Sequence, residues 1–293
     1  MNHTYFYSLN DYLRKTYGKK MYKISLNAGM SCPNRDGTLS RKGCIFCSEG
    51  GSGDFAESPL LSITKQIELG KEKVKHKIKN NDFIAYFQAY TNTYAPVEYL
   101  EKIFMEAINH PDIRILSIAT RPDCLSEEIL SLLERLNRIK PVWVELGLQT
   151  IHEETARYIR RGYRTEVYLD AVRRLKAAGL EVVTHIIIGL PGETAQMAVE
   201  TTRAAVAAGT DGIKFHLLHV LKGTDLAKEY EKGKFSCLTL EEYGAILKQC
   251  VEILPEHTVV HRITGDGAKK DLLAPLWSAD KKRVLNYLNQ QLE

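Results

Sequence analysis

The chain has 293 residues, 44% of them hydrophobic and 26% charged, with a formal net charge of +4, as is ordinary for a globular protein with a large core. No apolar run is long enough for a transmembrane helix, and Met1–Lys20 lacks the apolar segment of a signal peptide, so we expect no membrane association and no cleaved leader. Six cysteines in a chain of this length lack the density of a secreted disulfide scaffold and predict a cytoplasmic protein.

Apolar runs typical of buried strands alternate with amphipathic helical patterns through most of the chain. The predicted strands are Tyr22–Leu26, Phe83–Gln88, Ile113–Ala119, Val142–Gly147, Glu181–Leu190 and Gly212–Val220. The helices predicted between them are Leu60–Lys79, Val97–Asn109, Ser126–Asn137, Glu166–Ala178 and Thr194–Ala208. After Leu221 the pattern changes to two helices, Leu240–Ile253 and Lys282–Leu292, and a short apolar run, Val259–Ile263.

Six βα units in succession predict a parallel sheet of the α/β class. Six strands are fewer than the eight of a closed TIM barrel, so we expect a curved, open, partial (β/α)6 TIM-type barrel with room at its side for a large substrate. A doubly wound sheet is the alternative, but no Gly-x-Gly-x-x-Gly opens the first helix. We expect residues 1–21 to be an N-terminal extension, 22–222 the barrel, and 223–293 a C-terminal region packed on the barrel.

The long loop after the first predicted strand carries Cys32, Cys44 and Cys47 with the spacing Cys-x11-Cys-x2-Cys. Three thiolates are one fewer than a closed zinc site or a fully ligated [4Fe–4S] cluster requires. A cluster held by these three cysteines would keep one iron open, and that iron can bind and reduce another molecule.

Two other interpretations of the triplet stay open. One is a zinc site with a distant fourth ligand, for which Cys124, Cys237, Cys250 and the nine histidines are candidates. The other is a set of unrelated buried thiols, which is our default for the three remaining cysteines because free cysteine packs as a small hydrophobe.

Polar residues follow the predicted strands at their carboxyl ends, where ligands collect in barrels and in open α/β sheets. These segments are Gln88–Tyr94, Thr120–Asp123, Glu145–Thr150 and Ile188–Glu193, with Lys214, His216 and His219 on the last strand. Turn chemistry explains any one of them alone. Their shared edge predicts a ligand site.

Together these motifs resemble the radical S-adenosylmethionine superfamily. The cysteine spacing departs from the commonest Cys-x3-Cys-x2-Cys form and is similar to the long-spaced variant of the elongator catalytic-subunit relatives and of the bacterial YhcC/YtqA-type proteins. The segments that resemble the latter group are Cys-Pro-Asn-Arg-Asp-Gly, Phe-Gln-Ala-Tyr-Thr-Asn-Thr-Tyr, Ala-Thr-Arg-Pro-Asp, Glu-Leu-Gly-Leu-Gln-Thr and Ala-Pro-Leu-Trp.

The resemblance implies a [4Fe–4S] cluster ligated by Cys32, Cys44 and Cys47, with S-adenosyl-L-methionine chelating the open iron. It also implies contacts with that cosubstrate. These are Gln88, Ala89 and Tyr90 at the methionyl amine, Thr120, Glu145 and Gln149 near the ribose and methionine, Arg161 on the carboxylate, and Ile188, Gly189, His216 and Leu218 around the adenine.

The activity implied by the resemblance is reductive cleavage of S-adenosylmethionine to methionine and a 5′-deoxyadenosyl radical, which takes a hydrogen atom from the substrate. The expected substrate is the wobble uridine of tRNA, with 5-carboxymethylaminomethyl-uridine converted to 5-aminomethyl-uridine. The expected partners are the tRNA anticodon arm and an external electron donor such as flavodoxin or ferredoxin.

Three basic clusters are compatible with a polyanionic partner, although each also fits a solvated helix face. They are Lys71, Lys73, Lys75, Lys77 and Lys79; Arg157, Arg160, Arg161 and Arg164; and Lys281, Lys282 and Arg283. Candidate substrate contacts are Arg35, Tyr94, His219, Arg262, Asp266 and Trp277, for which ordinary packing is an equal explanation. The competing hypotheses are a radical enzyme with a small-molecule or protein substrate and a non-enzymatic zinc-binding module.

Overall fold

The structure is a computed structural model and describes residues 6–51, 56–77, 80–265, 267 and 269–293. Its strands are β1 (Tyr22–Leu26), β2 (Phe83–Phe87), β3 (Ile113–Thr120), β4 (Val142–Gln149), β5 (Glu181–Ile188), β6 (Gly212–Leu217), β7 (Val220–Leu221), β8 (Val259–Arg262) and β9 (Leu272–Ala274). Its α-helices are α1 (Leu9–Tyr17), α2 (Ile63–Val74), α3 (Val97–Ile108), α4 (Glu127–Asn137), α5 (Glu153–Tyr158), α6 (Thr165–Ala177), α7 (Ala195–Ala207), α8 (Asp225–Glu231), α9 (Leu240–Glu252) and α10 (Lys281–Gln291). Short 3-10 helices cover Lys75–Lys77 and Leu276–Ala279.

A curved sheet of seven strands in the order β1-β2-β3-β4-β5-β6-β8 forms the centre of the fold. Every neighbouring pair in this sheet is parallel, which confirms the predicted partial barrel of the α/β class. The predicted number of six strands is wrong, because β8 from the C-terminal region pairs with β6. The predicted last strand also ends early, at Leu217, and β7 pairs separately with β9 as an antiparallel ribbon. The three-part division of the chain stays a prediction.

Apolar side chains on the outer face of the sheet pack against the surrounding helices. Phe87 of β2 meets Phe104 of α3 edge to face, with ring centroids 5.0 Å apart, and both rings are fully buried. The inner face differs, because Lys23, Glu145 and Lys214 point into the barrel and contact one another. In a closed TIM barrel this interior is filled by apolar layers. Here it is polar and lines a cavity.

Helix α1, which the sequence did not predict, covers the amino end of the barrel. It begins after Ser8, whose hydroxyl caps the helix by accepting from the amide of Asp11, and it ends at Gly18, whose φ is 73°. Its buried Leu13 belongs to a cluster of apolar residues at the amino ends of the strands; the others are Met21, Ile84, Ile115 and Trp143. Since this end is filled, ligands enter the barrel at the carboxyl end.

None of the helices in the described part of the chain has the length and apolarity needed to cross a bilayer.

Candidate functional site

The three predicted ligand cysteines line one cavity at the carboxyl end of the sheet, which we call the cysteine cavity, of about 180 Å³. They lie in the loop between β1 and α2, which backbone hydrogen bonds hold in tight turns. The carbonyl of Cys32 accepts a hydrogen bond from the amide of Arg35 at 2.7 Å, and the carbonyl of Cys44 accepts one from the amide of Cys47 at 3.2 Å. All six cysteines of the chain are free thiols.

The spacing of these thiols bears on whether they bind a cluster or a single metal ion. Tetrahedral zinc with Zn–S bonds of about 2.3 Å holds its sulfur ligands roughly 3.8 Å apart. Among the described residues, no group of three ligand atoms within 4.8 Å of one another contains a cysteine. A [4Fe–4S] cluster binds each thiolate to a different iron and does not need its ligand atoms so close together. The described cysteines do not form the compact ligand set that a single zinc ion needs.

Burial affects the protonation state of the Cys44 thiol. Burial, followed by the neighbouring Cys47, raises the pKa of Cys44 to about 12, so the thiol keeps its proton when no ligand is bound. A bound metal would supply the charge that stabilises its thiolate form. The amide of Asn34 lies 3.5 Å from the sulfur, where it can donate a hydrogen bond to a ligating thiolate.

Asn34 fixes the cysteine loop to the segment after α5, a contact that the sequence did not reveal. Its side-chain amide donates to the carbonyl of Arg160 at 2.8 Å and to that of Arg161 at 3.2 Å. A Cβ on Gly162 would lie 2.6 Å from the side-chain Oδ1 atom of Asn34. The close contact between Asn34 and the backbone at position 162 therefore requires glycine. Arg121 supports the same segment by donating to the carbonyl of Arg161 at 2.9 Å.

Arg161 lines the cysteine cavity, and its predicted role on a cosubstrate carboxylate stays a prediction. The guanidinium is buried, and protein oxygens accept from all five of its N–H groups. These acceptors are the carbonyls of Tyr163, Leu148 and Thr150, the Glu153 carboxylate and the Thr165 hydroxyl. Through these hydrogen bonds, Arg161 positions the end of β4 against α5 and α6.

Glu145 also lines the cysteine cavity and is bound by protein groups, and its predicted contact with the ribose or methionine stays a prediction. Lys23 lies 2.6 Å from its carboxylate, His185 lies 2.7 Å away, and Lys214 also pairs with it. Burial alone would raise the pKa of Glu145, but Lys214, Lys23 and the hydrogen bond from His185 outweigh burial and hold this pKa well below its usual value. Glu145 is therefore an ionised anchor in the barrel interior.

The other predicted cosubstrate residues fall into two groups. Gln88, Tyr90, Thr120, Gln149 and His216 line the cysteine cavity. Leu218 lines an adjoining cavity of about 390 Å³, which we call the inner cavity. The structure does not place Ala89, Ile188 or Gly189 on either cavity wall, and the first two are buried in the core. The individual roles of these residues stay predictions.

Backbone strain is concentrated beside the cysteine cavity. Among the described residues other than glycine, three have a positive φ: Tyr90 at 60°, Gln149 at 66° and Arg160 at 57°. Tyr90 and Gln149 line the cavity, and the carbonyl of Arg160 accepts from Asn34. Left-handed backbone is costly for these residue types and tends to persist at functional sites.

The candidate substrate residues are scattered. His219 and Arg262 line the inner cavity. Arg35 instead donates to the carbonyls of Cys47 and Ser48, at 2.9 and 2.6 Å. Tyr94 bonds Thr38 on the outer surface of the cysteine loop, and the Trp277 indole donates to the carbonyl of Leu238. Asp266 lies outside the described residues.

The sequence model of the Radical SAM superfamily matches residues 35–205, and that of the Radical_SAM C-terminal domain matches residues 210–293. The chain belongs to the radical SAM superfamily. It is 44% identical to the uncharacterized protein YtqA of Bacillus subtilis, over 98% of this chain and 89% of that protein. These matches confirm the resemblance drawn from the motifs. The radical SAM cofactors are a [4Fe–4S] cluster and S-adenosyl-L-methionine, and the three free thiols fit the cluster.

Two more distant relatives are archaeal. The tRNA uridine(34) acetyltransferase of Methanocaldococcus infernus is 29% identical over 55% of this chain and 32% of that protein. The solved structure of Elp3 from the same organism, with its N-terminus deleted, superposes with a TM-score of 0.68 at 19% identity. This similarity covers 92% of the chain described here and 63% of the Elp3 chain, and it supports the fold.

Proposed function

We propose that this radical SAM enzyme modifies the wobble uridine of tRNA, converting 5-carboxymethylaminomethyl-uridine to 5-aminomethyl-uridine. The name of one relative, a tRNA uridine(34) acetyltransferase, supports the nucleoside position. The resemblance of five sequence motifs to the YhcC/YtqA-type group supports the particular base. When bound, the cluster and S-adenosylmethionine supply a radical that removes a hydrogen atom from a C–H bond beside the amine nitrogen.

The observation that carries this proposal is the continuity of the two cavities. Phe46, Cys47, Gln149 and His216 are among the residues that line both. A group that enters the inner cavity therefore lies beside the cysteines. A single-stranded loop base can leave its stack and enter such a pocket at a lower energetic cost than a paired base, which must first lose its pairing. The half-buried ring of Phe46 offers a face for stacking there.

The chain's own residues have three tasks in this reaction. Cys32, Cys44 and Cys47 would hold the cluster, and Asn34 keeps their loop in place through the segment after α5. The apolar cluster around Leu13 fills the far end of the barrel and excludes water from that side. Enclosure of this kind limits side reactions of a reactive intermediate.

One observation favours a small-molecule or protein substrate instead. Lysines of the predicted α2 basic cluster are paired with carboxylates: Lys71 with Asp112 at 2.5 Å, Lys75 with Glu72 at 2.5 Å, and Lys73 with Glu57. Paired lysines attract phosphates less strongly, because a carboxylate already compensates their charge. This helix is therefore a weaker candidate for contact with RNA than the sequence indicates.

Nucleoside mass spectrometry of tRNA from a deletion strain tests the proposal. The expected result is accumulation of 5-carboxymethylaminomethyl-uridine and loss of 5-aminomethyl-uridine at the wobble position. An unchanged wobble-uridine profile would contradict it. Anaerobic turnover of the reconstituted enzyme, followed as 5′-deoxyadenosine with and without anticodon-loop RNA, then separates RNA from other substrates. We further propose a cytoplasmic location and a flavodoxin- or ferredoxin-type electron donor.

A further inference from the structure

Arg262 is the last residue of β8, and its side chain lines both the cysteine cavity and the inner cavity. The residue is half-buried. Within the described part of the chain, no oxygen accepts a hydrogen bond from its guanidinium. This contrasts with Arg161, whose five N–H groups are all used. Arg262 therefore presents a guanidinium fork to the cavity.

The charges around Arg262 do not cancel. Among the described residues, Lys23 and Arg262 line the inner cavity, and Lys23 shares the carboxylate of Glu145 with Lys214. These four side chains carry more positive than negative charge whether or not Lys214 is protonated. Excess charge removed from water is costly unless an opposite charge accompanies it.

The histidines and the tyrosine that lie near these groups among the described residues add no negative charge. Burial lowers the pKa of His185 to about 4, and it lowers the pKa values of His216 and His261 well below the usual range. Burial also raises the pKa of Tyr86, which therefore keeps its proton. All four side chains are neutral at pH 7, so among the described groups near Arg262 the excess positive charge is left for an anionic ligand to compensate.

His216 supplies a second, independent observation. Its Nε2 atom is buried and has no hydrogen-bond partner in the structure, and its ring lines both cavities. Buried polar atoms in native proteins are normally satisfied, and an exception calls for an absent ligand or water. A neutral imidazole nitrogen that carries a proton can donate to an anionic oxygen.

We propose that Arg262, together with Lys23 and Nε2 of His216, binds a carboxylate group of the substrate in the inner cavity. A guanidinium binds a carboxylate through two parallel hydrogen bonds, which fixes orientation as well as charge. The identity of this carboxylate rests on the proposed function, in which it is the end of the carboxymethylamino substituent. Because Arg262 lines both cavities, this anchor places the adjacent methylene at the boundary with the cysteine cavity. Arg262 is a substrate-binding residue that determines specificity for the anionic form.

Binding of small probes to the reconstituted enzyme tests the subsite without RNA. Titration calorimetry would compare N-methylglycine, its neutral amide and methyl phosphate. We expect the carboxylate to bind at least about tenfold more tightly than the amide, because the amide lacks the charge that the guanidinium compensates. Equal binding of acid and amide would overturn the proposal. Tighter binding of methyl phosphate than of the carboxylate would also overturn it and would assign the site to a phosphate.

Variants link this preference to Arg262. R262Q should remove the preference for the acid over the amide, and R262K should keep part of it, because lysine retains the charge but loses the fork. R173Q is the matched control, since Arg173 lies on the exposed face of α6 and pairs with Asp170. The idea is excluded if R262Q, with a thermal transition like that of wild type, keeps the full preference.

A further experiment with RNA substrates distinguishes failure of this subsite from failure of the proposed function. Anticodon-loop RNA carrying 5-carboxymethylaminomethyl-uridine would be compared with RNA carrying the corresponding amide. We expect the KM of the wild-type enzyme to be about tenfold lower for the acid, and this difference to vanish in R262Q. Wild-type protein that prefers the acid probe but leaves both RNAs unchanged would refute the wobble-uridine function while supporting the carboxylate subsite.

Discussion

At the amino end of the barrel, Leu13 of α1 packs against Ile84 and Trp143, and each of these side chains is fully buried. At the carboxyl end, the cysteine loop is fixed mainly by hydrogen bonds, from Asn34 to backbone carbonyls and from Arg35 to the loop itself. The first region gains its stability from apolar burial, which tolerates small shifts in position. The second depends on hydrogen bonds, which weaken when the distance or the angle between donor and acceptor changes. Stability and function are therefore separated along the barrel axis, and the following changes test that separation.

Replacement of Cys44 by alanine should have the largest effect on function. We expect the variant to lose the cluster and its reductive cleavage of S-adenosylmethionine to fall to background, while the apolar amino end keeps the protein folded. Iron and sulfide analysis after anaerobic reconstitution, with assay of 5′-deoxyadenosine, measures both. C237A is the matched control, because Cys237 does not line the cysteine cavity. Full iron content in the Cys44 variant would contradict the ligand assignment.

Glu145→Gln should have the largest effect on stability, because it leaves Lys23 and Lys214 without their shared counter-charge. Removal of one partner from a buried ion pair costs about 3–5 kcal/mol. Denaturant unfolding monitored by circular dichroism gives the free energy of unfolding. Glu72→Gln breaks an exposed pair with Lys75 and should change nothing measurable. Equal stabilities for the two variants would show that the interior charges are not energetically coupled.

Leu13→Ala should destabilise the amino end by about 2–5 kcal/mol, since a fully buried leucine is lost and α1 closes over a cavity. We expect the fraction that stays folded to bind iron normally, because the cysteine loop lies at the other end. Thermal unfolding and iron content measure the two effects separately. Leu60→Ala, at a side chain that is 94% exposed, serves as the control. If the variant also bound less iron per folded chain, the two ends of the barrel would be coupled.

The pH dependence of stability tests the neutral state of the interior. The pKa of His185 falls from 6.5 to about 4 because of burial. Between these values the unfolded chain binds a proton that the folded chain does not, so stability should fall as the pH is lowered from 6.5 towards 4, by about 1.4 kcal/mol per pH unit for this group. Denaturant unfolding at several pH values measures the slope, which should decrease in His185→Gln.

Gly162→Ala should have the smallest effect and the most local one. Gly162 and Gly209 both have a positive φ, 86° and 91°, so alanine at either position costs about 1–2 kcal/mol. Only at Gly162 would the new Cβ collide, 2.6 Å from Asn34, whereas nothing lies within 4 Å at Gly209. We expect a chelator to remove iron about tenfold faster from the Gly162 variant, because Asn34 supports the ligand loop. Identical rates in the two variants would exclude that support.

The sequence predicted correctly those features whose signal lies within a short stretch of the chain. The βα alternation identified six strands, and the cysteine spacing identified the ligand loop, because both signals depend on residues near one another in the chain. Strand β8 was not predicted as part of the sheet, since four residues, Val259–Arg262, show too little periodicity. Helix α1 was missed although its local signal was present, since Leu9, Tyr12, Leu13 and Tyr17 recur at helical spacing and pack on one side.

The contacts at the site are harder to predict for a different physical reason. The roles expected of Arg161 and Glu145 required free polar atoms, and whether such atoms are free depends on partners far away in the chain, such as Lys23 for Glu145. The support that Asn34 gives to the cysteine loop is also long-range, over 126 residues to Arg160. The sequence shows which residue types are present, but only the folded chain shows which of their hydrogen bonds are already used.

The position of β8 in the sheet has a consequence for biosynthesis. The edge of β6 is covered by a strand that leaves the ribosome only after most of the chain, and the amide of Val260 in that strand donates to the carbonyl of Tyr7 at 2.8 Å. Until then the nascent protein exposes an unpaired strand edge, which can pair with another chain. The sheet that carries the cysteine loop is therefore completed only late in synthesis.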